Sequence, residues 1–182
     1  MEHEKKYYLV RRSGSDIKTF CGTIRKDAAV PLFYPDGKDY SYGFCPDHVF
    51  ETEDSANAYA EKLFARRQEL EPSSLKDSML MDDTAFAKLS EMKKYIDSQL
   101  SAFAGYVPVS FCDVHASGIQ IRGTNDSVGG YFMVQVTIPY SFCGYMEKAQ
   151  EFVNEYKAYY GNKDCVDFAK DFIANGKKYG WD

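Results

Sequence analysis

Two segments of this chain share a spacing that could do chemistry: Cys45-Pro46-Asp47-His48 and Cys112-Asp113-Val114-His115. Each offers a thiolate and an imidazole three positions apart. Together, Cys45, His48, Cys112 and His115 would supply the two sulfur and two nitrogen donors of a tetrahedral zinc site. Within either pair, the same side chains could instead act as nucleophile and base, the arrangement of a thiol-dependent enzyme. Both chemistries need the chain to turn between Cys and His, because positions i and i+3 of a strand point to opposite faces. Pro46 suits the second position of a type I turn, with Asp47 after it; Val114 is a poor turn former. The spacing also differs from the paired Cys-x-x-Cys and His-x-x-x-His of most zinc modules. Neither pair sits in a strand-to-helix elbow with an oxyanion-hole loop beside it.

Packing explains the same residues more simply. Four of the five cysteines follow a phenylalanine, in Phe20-Cys21, Phe44-Cys45, Phe111-Cys112 and Phe142-Cys143. On strands this puts a large aromatic into the core and a small, half-buried thiol on the reverse face. The expectation is therefore no cofactor and no catalytic residue, with zinc as the alternative. The Gly-rich stretch Gly123–Gly130 precedes a strand rather than a helix and has no Lys, so it reads as a hairpin tip and not as a phosphate cradle. Acid pairs such as Asp82 and Asp83 fall where helix starts need caps.

The elements that must position these residues follow from periodicity. Tyr7–Arg12 and Ile17–Arg25 read as a hairpin, Ala29–Tyr34 as a third strand ended by Pro35-Asp36-Gly37, and Tyr40–Cys45 as a fourth. A helix follows over Glu53–Leu70, with Thr52 as N-cap and an apolar stripe of Ala56, Tyr59, Leu63, Phe64 and Leu70. The Pro- and Ser-bearing stretch 71–82 is the one credible linker. A long helix then starts after Asp82 or Asp83 and stops at Gly105. Amphipathic strands occupy 107–140, and two helices, Tyr145–Tyr160 and Lys163–Asn175, close the pattern. The fold class is α+β, mostly antiparallel sheet packed by helices, in the order ββββα then αβββαα. It divides into lobes at 1–70 and 83–182, or forms one domain. Trp181 in the tail reads either as a contact residue or as a seal on the core.

Composition narrows the function classes. The net charge of −5 argues against direct nucleic-acid binding, which relies on a concentrated basic surface. No run is apolar enough to cross a bilayer, and the start MEHEKKYYLVRR lacks a signal-peptide core, so the expected location is cytoplasmic, with reduced cysteines. Fifteen tyrosines and thirteen phenylalanines exceed what a core of this size needs. Tyrosine is a preferred anchor where proteins meet, and self-association is compatible with the same composition.

Charge is distributed unevenly, with residues 1–30 mainly basic and 31–60 mainly acidic. The acids Asp36, Asp39, Asp47, Glu51, Glu53 and Asp54 interleave with Tyr34, Tyr40 and Tyr42, and these nine residues form the expected partner-binding patch. In size, charge and lack of catalytic motifs, the chain resembles the small inhibitors of phages and mobile elements, of the anti-CRISPR kind. The resemblance is one of class and transfers no residue. It implies a non-catalytic protein-binding module that covers the basic surface of a nucleic-acid-guided nuclease.

Overall fold

The computed structural model describes residues 5–13, 16–26, 30–70 and 75–176, apart from the side chain of Tyr131. Trp181 lies outside them. The fold is α+β, with antiparallel sheets packed by helices, and divides into two units, Met1–Gln68 and Glu69–Asp182.

In the first unit, strands β1 (Tyr7–Ser13) and β2 (Asp16–Arg25) form the predicted hairpin, in register from Tyr7 opposite Gly22 to Ser13 opposite Asp16. Strand β3 (Leu32–Pro35) and the two-residue β4 (Val49–Phe50) complete a sheet of order β3-β2-β1-β4. Leu9 and Val10 are consecutive, so their side chains lie on opposite faces, yet both are fully buried. The centre of this sheet is therefore covered on both sides. Tyr8, Cys21 and Phe50 are cross-strand partners and share one face. Helix α1 (Glu53–Leu70) runs along that face, with the Tyr59 ring 5.1 Å from Phe50. The Thr52 hydroxyl accepts from the Ser55 amide at 3.4 Å, and Glu53 and Asp54 occupy the first turn, where the helix dipole favours acids.

Two sequence expectations fail in this unit. Tyr40–Cys45 is not a strand; only Tyr42 pairs, in an isolated bridge to Phe33. The aromatic alternation there has another origin. Tyr40 packs edge-on against Tyr42, and Tyr42 lies under the Arg11 guanidinium and against Phe20, so aromatic stacking rather than a ladder selects the residues. On α1, Ala56, Leu63 and Leu70 are buried as expected, but Phe64 is 51% exposed. It follows Leu63 by one residue and so points about 100° away from the buried stripe.

The second unit contains helices α2 (Asp77–Met81) and α3 (Asp83–Leu100), strands β5 (Ser110–Val114), β6 (Gly118–Asn125) and β7 (Gly129–Ile138), and helices α4 (Tyr145–Tyr160) and α5 (Lys163–Ala174). Within the stretch 71–82, Leu75 and Leu80 are fully buried. Asp82 caps α3 by accepting from the amides of Thr84 and Ala85. The sheet order is β5-β6-β7. One face carries Phe111, Ile121 and Val136 in a single cross-strand row, with Ile119 and Ile138 beside them, all buried. Helix α4 lies so close to this face that a Cβ on Gly123 would stand 2.5 Å from the Phe152 ring. The reverse face, with Ser110, Cys112, Gln120 and Arg122, is only half-buried. The expected hairpin tip is shorter than the Gly-rich stretch. β6 continues to Asn125, and both Asn125 and Val128 are buried.

Candidate functional site

All nine residues of the acidic, tyrosine-bearing patch belong to the first unit. Tyr34 is held in β3 opposite Thr23, with the Arg25 guanidinium 4.8 Å over its ring. Asp36 forms the turn after β3, where its amide donates to the Cys21 carbonyl at 2.9 Å. Tyr40 is 47% exposed, and Tyr42 is sandwiched as described above. The phenol of Tyr42 is pushed up by its hydrogen bond with Tyr40 and by burial. Asp47 sits in a 3-10 turn over Pro46–His48, Glu51 follows β4, and Glu53 and Asp54 open α1.

The six acids divide by their partners. Lys6 donates to the Asp36 carboxylate and holds it below the usual carboxylate range, and Lys5 donates to Glu51. Asp39, Asp47, Glu53 and Asp54 are exposed and make no hydrogen bond or ion pair among the described residues. The basic start of the chain thus neutralises part of the patch and leaves the rest open. Beneath it, burial and then Asp36 push the Cys21 thiol up, which keeps this cysteine protonated and a poor nucleophile.

The two Cys-x-x-His segments fall in different units. Cys45 precedes the 3-10 turn, and the His48 amide donates to its carbonyl at 3.0 Å, so the predicted turn at Pro46 is present. Cys45 is exposed, and the His48 ring lies 6.5 Å from Tyr59. Cys112 is on β5, facing away from Phe111, and His115 follows in a turn with φ 29°. Among the described residues, no group of three or more His, Cys, Asp or Glu side chains is placed to hold a metal. None of their helices is long and apolar enough to cross a membrane.

Sequence reasoning missed a polar cluster in the second unit. Asp113, in the middle of the second Cys-x-x-His, has a side chain only 6% exposed and lies 3.4 Å from Lys76. The Tyr140 hydroxyl shares its one proton between the Asp113 carboxylate and the His115 carbonyl, and accepts from Lys76 at 3.4 Å. That hydrogen bond to Asp113 raises the Tyr140 phenol, so it stays a proton donor and not a base. The signal was present as parity, since Asp113 shares the inward face with Phe111. No family model, curated protein or solved structure matches this chain.

Proposed function

We propose that this protein is a non-catalytic binding module whose first unit docks onto the basic surface of a protein partner. A nucleic-acid-binding effector such as a guided nuclease is the class of partner that offers such a surface, and the docked module would act as its inhibitor. One observation carries the reading: Asp39, Asp47, Glu53 and Asp54 are exposed and unpaired among the described residues, in a segment that also exposes Tyr40. Unpaired carboxylates cost little in water and become favourable when a partner brings Lys or Arg, while a neighbouring tyrosine supplies area that can be desolvated.

The test starts with affinity capture from host cells and from a panel of co-expressed nucleases. The captured partner is then titrated with wild type and with a variant carrying Asp39→Lys, Asp47→Lys and Asp54→Lys. The expected result is binding weaker by about a hundredfold or more, with a shallower dependence on salt, because several charge pairs reverse sign together. Equal affinity and equal salt dependence would sink the proposal.

A further inference from the structure

The first unit also contains a groove of about 590 Å³ lined by Tyr8, Ile17, Thr19 and Cys21 from the sheet and by Asn57, Ala60 and Glu61 from α1, with Glu53 at one end. Its floor ends at an open strand edge. β3 pairs only with Gly22–Arg25, which among the described residues leaves the first half of β2 without a strand neighbour on that side. The direction of the backbone groups follows from one bond. The Cys21 carbonyl accepts from Asp36, on the β3 side, so Cys21 points its peptide groups away from β1. Peptide groups alternate along a strand, so Thr19 and Ile17 point theirs the same way. Among the described residues, no backbone hydrogen bond reaches them on that side. Lys18 also lines the groove, and its ammonium pairs with Asp16 at 3.7 Å, which offsets its charge there.

From this geometry we infer that the groove receives an extended segment of a partner protein, added as a strand to β2, with basic side chains facing α1. Strand addition uses the amides and carbonyls of Ile17 and Thr19 for affinity and the helix wall for selection. The wall has a matching period. Glu53, Asn57 and Glu61 are spaced four residues apart, about 6 Å per step along a helix. Alternate residues of a strand are about 6.6 Å apart, so successive side chains on one side of the segment meet Glu53, Asn57 and Glu61 in turn. Neither carboxylate has a hydrogen-bond or ion-pair partner among the described residues. The wall therefore selects a positive residue, a polar residue and a positive residue at alternating positions, and the residues between them point to the other face of the sheet. This rests on the reading of the first unit as protein-binding and names the chemistry that it would recognise.

The probe is a fluorescent heptapeptide, Val-Arg-Val-Gln-Val-Arg-Val, measured by anisotropy against the full chain. Controls replace both arginines with glutamate, or methylate the backbone nitrogens that would pair with β2. Wild type should bind the basic peptide, and both controls should bind about tenfold more weakly or worse. Thr19→Pro removes an outward-facing amide at a position where an edge strand tolerates proline, and should abolish binding while circular dichroism and thermal midpoint are kept. Should that variant unfold, Ala60→Trp, which fills the groove from the helix side, gives the same readout. The triple Asp39, Asp47 and Asp54 reversal leaves the groove intact and separates the two proposals. Peptide binding that survives Thr19→Pro overturns the strand-addition inference and leaves the acidic patch standing. Binding lost only in Thr19→Pro supports the groove even if the patch fails its own assay. No binding by folded wild type, or a dimer that Thr19→Pro dissociates, also overturns it, the latter by placing a second copy on the edge.

Discussion

At the scale of single residues, the second unit depends on Asn125, which nothing in the sequence marked. Its side chain is buried, donates to the Ala104 carbonyl at 2.9 Å and to the Tyr156 hydroxyl at 3.2 Å, and accepts from the Ser127 amide at 3.0 Å. Tyr156 in turn donates to the Thr124 carbonyl at 2.8 Å. Gly105 makes the cluster possible: its φ is +73°, and a Cβ there would meet the Asn125 side-chain oxygen at 2.4 Å. Asn125→Ala should lower stability by about 2 to 3 kcal/mol, because it removes three hydrogen bonds made by a buried side chain. Gly105→Ala should cost at least as much, about 2 to 4 kcal/mol, since it combines left-handed strain with a clash. Urea denaturation of both variants checks this, and losses below about 1 kcal/mol would mean that the site relaxes at little cost. Asn125 was hidden by composition. Between Gly123 and Gly130 an asparagine reads as a turn former, and only the return of α4 over the hairpin turns it into a core residue.

At the scale of elements, what was legible is what local chemistry determines. Helix α1 was bounded by the Thr52 cap, α3 by Asp82, and α4 by Gly161, because caps act over one turn of chain. Strands β1, β2 and β7 followed from alternation. β4 was not legible, since two residues, Val49 and Phe50, make no pattern and exist only because β1 presents an edge to them. Of the candidate surface, the acids and tyrosines could be named from sequence. That Lys5 and Lys6 neutralise two of the acids, and that β3 stops short and leaves the β2 edge open, depends on tertiary placement. Gly123 shows the same limit. It read as a loop glycine, but its function is to let the Phe152 ring of α4 approach β6. Gly123→Ala should therefore destabilise by about 1 to 3 kcal/mol through overpacking. Combining it with Phe152→Leu should recover part of that loss, a coupling that a double-mutant cycle measures directly. Strict additivity of the two changes would show that the helix and strand are not in the close contact described.

At the scale of the whole molecule, the surplus of aromatic residues has two separate uses. In the first unit, Tyr40 is exposed among the acids and stacks edge-on against Tyr42, which lies under Arg11. In the second, a group of tyrosines packs into the interior. Tyr156 is fully buried and Tyr160 nearly so, with their rings 4.5 Å apart, and Tyr106 packs 5.5 Å from Tyr156. Burial pushes all three phenols up, helped at Tyr106 by the Asp97 carboxylate that its hydroxyl bonds. The sign of the resulting pH dependence is fixed by this direction. A phenol whose folded value lies above its unfolded value of about 10 stabilises the fold fully below that pH, and the contribution is lost as pH rises above it. Stability should thus be level from neutral pH to about pH 9 and fall above about pH 10, by up to roughly 1.4 kcal/mol per pH unit for each phenol kept neutral. Urea midpoints measured together with tyrosinate absorbance check the expectation. The buried phenols should ionise only as the chain unfolds, and Tyr156→Phe should flatten the alkaline slope even though it lowers stability at neutral pH by leaving the Thr124 carbonyl and Asn125 short of a partner. Complete and reversible ionisation of every tyrosine in the folded protein would contradict the division, because it would put Tyr106, Tyr156 and Tyr160 in solvent as well.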